Sequence, residues 1–264
     1  MSRTNAVTHG FGRIVAGLRS LYEYIVLFGS LVLFGAAGLT YTLVGAVLYP
    51  LLPRRFGARV GRLIMTGIFR PYIAIIKASG LVQCDLSALD ALSNGETIIV
   101  APNHPSVIDV VLIGSRLTNI VCIMKADIQD NILFGGGARL AGYIRNDSTG
   151  NMVRTSVAEL KDGSQLLIFP EGTRTTAQPV NKFKSAFALI ARKSGVPVQT
   201  VFIESNTPFL GKGWPLLKKP QFPLIYKVTL GKRFEVTGDT KTFVDDLEKY
   251  YREQLAEKKA VSAR

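Results

Sequence analysis

Ile98-Ile99-Val100-Ala101-Pro102-Asn103-His104-Pro105-Ser106-Val107-Ile108-Asp109 is the stretch from which the rest of the chain is read. Its β-branched apolar opening reads as a buried strand that breaks at Pro102 and delivers a histidine into a loop. Pro105 and Ser106 then open an apolar segment that reads as a helix, with Asp109 in its first turn. His104 therefore stands at a strand's end, where a carboxylate can fold back and hold its ring in one tautomer. That arrangement suits a general base. A plainer reading of the same letters is a helix start, with Ser106 as N-cap and Asp109 near a capping box. The chain's other histidine, His9, lies in the N-terminal segment, so imidazole chemistry would rest on His104.

A second stretch, Ile168-Phe169-Pro170-Glu171-Gly172-Thr173-Arg174, also leaves an apolar strand and places a carboxylate and a guanidinium in the following loop. Together the two stretches resemble the glycerophospholipid acyltransferase family, close to its bacterial 1-acylglycerol-3-phosphate acyltransferases. The family's NHxxxxD hallmark is matched by Asn103, His104 and Asp109, and its FPEGTR hallmark letter for letter by Phe169 to Arg174. The resemblance covers residues 80 to 235.

The resemblance implies that His104 removes a proton from an acceptor hydroxyl, which attacks the carbonyl of an acyl thioester, while Asp109 orients the ring. It implies substrate-binding roles for Glu171, Gly172, Thr173 and Arg174, whose planar fork suits a phosphate. Without the resemblance, Arg174 reads as a surface ion pair and Glu171 as a turn cap. Lys125, at a strand's end, and Arg145 fall in a region similar to the family's second block, where an arginine helps hold the acceptor phosphate. Here Tyr143-Ile144-Arg145-Asn146-Asp147 is shorter than that block, and Arg145 comes early. Thr200 stands where the family often has a second proline after Val196-Pro197-Val198.

Working outward, 264 residues suit one α/β domain with an appendage. The net charge of +13 draws the chain to anionic surfaces. No segment interleaves basic and aromatic residues as a nucleic-acid face would, so lipid headgroups, coenzyme A phosphates or an acidic carrier protein fit better. Cys84 and Cys122 are isolated, which supports neither a disulfide framework nor a metal site. No GxSxG elbow, Walker loop or GxGxxG fingerprint occurs, and no cofactor is expected.

Residues 1–20 read as a poorly ordered tail. From Tyr24 to Pro53 no residue is charged, which is long enough to cross a bilayer with tilt. Arg54, Arg55, Arg59 and Arg62 follow at once and favour a cytoplasmic catalytic domain at a bacterial-type inner membrane. Arg54 to Lys77 reads as an amphipathic helix, either lying in the interface or packed on the domain. A spanning helix and a two-helix hairpin entering one leaflet both remain open. The boundary is placed at Gly80, with a membrane segment over 1–79 and a catalytic domain over 80–264.

Within that domain, strands are expected at Thr97–Ala101, Ile120–Met124, Tyr143–Ile144, Gln165–Phe169, Val196–Ile203, Leu224–Leu230 and Arg233–Val236. Helices are expected at Val107–Leu117, Ile132–Ala141, Met152–Lys161, Lys184–Lys193 and Phe243–Lys258. Such alternation predicts a largely parallel sheet flanked by helices, with catalytic loops at the strands' carboxyl ends. The function expected is O-acyl transfer from acyl-CoA or acyl carrier protein to a lysolipid, first of all 1-acylglycerol-3-phosphate. The alternatives are another acceptor, such as a lyso-ornithine lipid, or a non-catalytic lipid-binding protein.

Overall fold

The computed structural model describes residues 3–131 and 135–262. Two helices lead the chain, α1 over Arg3–Leu51 and α2 over Arg54–Ala78. Pro53 separates them, since it cannot donate to the helix before it and its fixed φ suits the start of the next. The tail expected at residues 1–20 is helical from Arg3 onward. No proline lies in that segment, and each glycine costs only about 1 kcal/mol against alanine, too little to stop the helix.

Within α1, Gly12–Leu51 is apolar and long enough to cross a membrane, with mean hydropathy 2.0. At the helical rise it extends about 60 Å, roughly twice the hydrocarbon thickness of a bilayer. Leu18, Val32, Leu43 and Leu51 point outward, whereas Leu27 and Tyr41 are buried against the remainder of the molecule. The amphipathic α2 buries Gly57, Ala58, Gly61, Met65, Ile73 and Ile76 on the domain and exposes Phe56, Leu63 and Ile75.

The described residues form a seven-stranded sheet. In chain order the strands are β1 (Val82–Asp85), β2 (Ile99–Pro102), β3 (Ile120–Lys125), β4 (Ile144–Asn146), β5 (Gln165–Leu167), β6 (Val198–Ser205) and β7 (Leu224–Phe234). Their spatial order is β1-β7-β6-β2-β5-β3-β4, parallel throughout except for antiparallel β6 and β7. Helices α3 (Asp109–Gly114), α4 (Ala126–Gln129), α5 (Gly135–Leu140), α6 (Thr149–Lys161), α7 (Ala186–Ser194) and α8 (Thr240–Ser262) complete the fold. Every residue of β2 is buried, as an apolar run in the middle of a covered parallel sheet requires.

Several expected boundaries move. The helix expected from Val107 begins at Asp109, and that expected over Ile132–Ala141 is described only as α5, residues 132–134 lying outside the described residues. The two strands expected at Leu224–Leu230 and Arg233–Val236 are one. The ladder slips between Gln199 and Val201, where the Gly231 and Lys232 carbonyls accept from Gln199 Nε2 at 2.8 Å and Thr200 Oγ1 at 2.7 Å. The Gly231-Lys232 gap between the two expected strands is a bulge within one.

The glycines of α5 are explained by what lies over them. A Cβ on Gly137 would sit 2.2 Å from the Tyr41 ring, and one on Gly136 2.4 Å from the Thr42 carbonyl oxygen. Only hydrogen at these positions lets α1 pack this closely on α5. Arg62 adds a polar strut from α2, donating to Ala141 O at 2.9 Å, Asn119 Oδ1 at 2.9 Å, Ser164 Oγ at 2.7 Å and Glu159 Oε2 at 2.7 Å.

Candidate active site

β2 and β5 are parallel neighbours, with Ile99 opposite Leu166 and Val100 opposite Leu167. The loops leaving their carboxyl ends therefore lie side by side, which is where a parallel sheet places its chemistry. This register brings the two sequence motifs together.

His104 Nδ1 lies 2.8 Å from Asp109 Oδ2, which also accepts the Ser106 backbone N–H at 2.9 Å. With Asp109 ionised, its carboxylate can only accept, which assigns the ring proton to Nδ1 and leaves Nε2 as the accepting nitrogen. Asp109 is wholly buried, and burial pushes its carboxyl above the ordinary value against the opposing hydrogen bonds from His104 and Ser106. The imidazole stacks on Phe169, with centroids 3.7 Å apart and planes 19° apart. His104 keeps a partly open face to solvent.

The loops are braced from several directions. Glu171, 1% exposed, accepts from His104 N at 3.0 Å, Thr175 Oγ1 at 2.7 Å and Asn181 N at 2.8 Å. His104 O accepts from Thr175 N at 2.7 Å. The Asn103 side chain donates to Ile203 O at 3.0 Å and accepts from Ile203 N at 2.7 Å, tying the loop to β6. Ser106 Oγ donates to Phe209 O at 2.8 Å. Behind the loop, the buried Tyr251 hydroxyl of α8 donates to Ala101 O and accepts from Val201 N at 3.2 Å.

Arg174 Nη1 donates to Leu210 O at 3.0 Å and Gly211 O at 2.9 Å, holding a segment in which Leu210 has a φ of 56°. A non-glycine residue there costs about 1–3 kcal/mol, so this segment is held by its surroundings. The other two Arg174 nitrogens have no hydrogen-bond partner among the described residues. Gly172 takes a φ of 66° in the turn that lets Gly172 N donate to Phe169 O at 2.9 Å. Thr173 is half-buried beside it.

Lys125 and Arg145 stand elsewhere. Lys125 ends β3 and is exposed, with β5 between it and β2. Arg145, on the outermost strand β4, is ion-paired to Asp130 at 2.7 Å and Asp147 at 2.8 Å.

Sequence reasoning named Phe169 and Asn103 only as letters of the two motifs and Ser106 only as an N-cap, and it passed over Tyr226. Membership of a motif, or a place beside one, was the signal for the first three. Tyr226 carries none. It enters from β7, and its buried hydroxyl, like Asp109 Oδ1, has no hydrogen-bond partner among the described residues. Burial first, and then the Asp109 charge, raises its phenol above the ordinary value.

Residues 83–204 match the family described as Acyltransferase. The lyso-ornithine lipid O-acyltransferase of Pseudomonas aeruginosa is 32% identical over 121 residues, 41% of this chain and 46% of that protein. The match thus spans less than half of that relative. The 1-acyl-sn-glycerol-3-phosphate acyltransferase of the same organism is 22% identical over 239 residues, 88% of this chain and 87% of that protein. The crystal structure of the 1-acyl-sn-glycerophosphate (LPA) acyltransferase from Thermotoga maritima matches with a TM-score of 0.66 at 18% identity, covering 92% of this chain and 98% of that one. At that identity the likeness is one of fold.

Proposed function

We propose that this chain, whose residues 83–204 match the family described as Acyltransferase, moves a fatty acyl group from a thioester to the free hydroxyl of a lysolipid at a membrane. The observation that carries the reading is the His104–Asp109 contact of 2.8 Å, with Nε2 unpartnered among the described residues. Nε2 takes the proton of the acceptor hydroxyl as its oxygen attacks the thioester carbonyl. Asp109 stabilises the imidazolium that forms. Collapse of the tetrahedral intermediate breaks the carbon–sulfur bond, and the departing thiolate recovers the proton from His104. The products are an ester and a free thiol, with no acyl-enzyme. Acyl-CoA or an acyl carrier protein supplies the thioester. The exposed apolar face of α1 seats the domain where lysolipids are found, on the cytoplasmic side.

The first acceptor assigned is 1-acylglycerol-3-phosphate, supported by the Arg174 nitrogens that remain for a phosphate and by the relative similar over 88% of this chain. A lyso-ornithine lipid is the second reading. It is favoured because Arg145, the other arginine expected at the phosphate, is held by Asp130 and Asp147.

The test offers purified protein one labelled acyl thioester with either 1-oleoylglycerol 3-phosphate or a lyso-ornithine lipid. Labelled phosphatidic acid that disappears in His104→Ala supports the first assignment. Product from the ornithine lipid alone moves the assignment to the second. Absence of thiol release with any lysolipid removes acyl transfer altogether.

A further inference from the structure

An open cavity of about 820 Å³ lies between the start of α2 and the outer edge of the sheet, and none of His104, Asp109, Glu171 or Arg174 lines it. Its inner wall includes β4, three strands from β2, or about 14 Å across the sheet. One side carries Arg54, Arg55, Arg59 and Arg62 from the opening turns of α2. The facing side carries Arg154 and Lys161 from α6, with Arg139 and Arg145 between. Eight cations thus meet two lining carboxylates, Glu159 and Asp162, and with Asp130 and Asp147 paired to Arg145 just outside the lining the surplus is four, within a chain whose whole net charge is +13.

Both carboxylates are already committed, Glu159 to Arg62 at 2.7 Å and Asp162 to Arg55 at 3.2 Å. Arg54, Arg59 and Lys161 have no ion-pair or hydrogen-bond partner among the described residues. Helical spacing explains the convergence. Arg55, Arg59 and Arg62 share one face of α2, and Arg154 and Lys161 one face of α6. An ordinary solvated surface intersperses charges of both signs. Here one sign is gathered round a concavity, which focuses positive potential on its interior. The volume falls within the range of small-molecule sites, about 300–1,000 Å³.

We propose that this cavity is a second binding site, separate from the acyl-transfer site, that takes the phosphate-bearing end of a ligand. Phosphate oxygens match the guanidinium fork and supply the negative charge the cavity lacks. Two sources share this chemistry. Tyr49 and Leu52 of the α1–α2 bend line the cavity, and their chain neighbours Leu51 and Phe56 are exposed, which offers an anionic lipid apolar surface for its chains. A soluble thioester with nucleotide phosphates presents the same group from the aqueous side.

The test uses the full chain in a neutral detergent and measures saturable binding of 3′,5′-ADP and of dihexanoyl phosphatidylglycerol, with dihexanoyl phosphatidylcholine as control. Wild type and His104→Ala should bind one of the anionic probes equally well, more weakly as salt is raised. The exposed-residue variant R59A/R154A/K161A should bind it at least tenfold more weakly, and Arg154→Ala alone should fall between. The probe that binds names the source. Binding of neither anionic probe, equal binding of phosphatidylcholine, or wild-type affinity in both variants would overturn the proposal. Binding is read without turnover, so the result stands apart from the acyl-transfer reading.

Discussion

Asp109 spends one carboxylate oxygen on the His104 ring and the Ser106 amide, so its replacement tests orientation separately from the base itself. Asp109→Asn keeps the shape but can present an N–H to the ring and lets the wrong tautomer persist. Turnover is expected to fall by about 10⁴ with little change in melting temperature; activity within tenfold of wild type would deny Asp109 that role. Glu171 gives a different signature. Glu171→Gln cannot accept at both ends of its side chain, so the bonds from His104 N, Thr175 and Asn181 N cannot all survive. Each charge-assisted bond is worth about 1.5–3 kcal/mol, so the melting temperature should drop and kcat should suffer for every acceptor alike. A change confined to one acceptor's KM would instead make Glu171 a substrate contact. The letters of the two motifs were legible because each lies within a few residues along one loop. The stacking of Phe169 on His104 and the triple engagement of Glu171 were not, because they depend on which strands become neighbours.

Among the elements, the pairing of β2 with β5 carries the site and the seam between α1 and α5 carries the anchor. Alternating apolar runs made most of the strands readable. They could not reveal that β5 inserts between β2 and β3, or that β7 runs antiparallel through a bulge. The glycines of α5 weakened its helical reading, yet their purpose lies in contact with α1. Gly137→Ala places a methyl group against the Tyr41 ring, and overpacking of this kind costs about 1–3 kcal/mol. A lower melting temperature in detergent is expected, with partial recovery when Tyr41→Leu is added. An unchanged melt for Gly137→Ala would show that the seam is looser than its geometry.

At the scale of the whole molecule, the membrane segment and the domain are not a bead on a string. Leu27 and Tyr41 of α1 belong to the same buried cluster as the sheet, and Lys219 reaches Glu23 at 2.8 Å. Deleting residues 1–53 therefore strips apolar cover from α5 and α2 as well as removing the anchor. The truncated protein is expected to aggregate or to stay with membranes through exposed surface, measured by fractionation and size exclusion. A monodisperse, soluble and active truncation would show that the domain is self-sufficient. The sequence boundary at Gly80 followed composition, whereas the packing crosses it.

The Tyr251 hydroxyl beneath the His104 loop has a consequence for the order of events during synthesis. The apolar helix α1 leaves the ribosome before the sheet and can engage a membrane while most of the domain is unmade. Both motif loops emerge long before α8, and the carbonyl of Ala101 and the amide of Val201 wait for a side chain 150 and 50 residues further along the chain. A nascent chain can thus meet a membrane while its histidine loop is still unsupported, and that support arrives only with α8. Arrested chains ending at residue 239 should reach membranes and carry both motifs, yet show no thiol release.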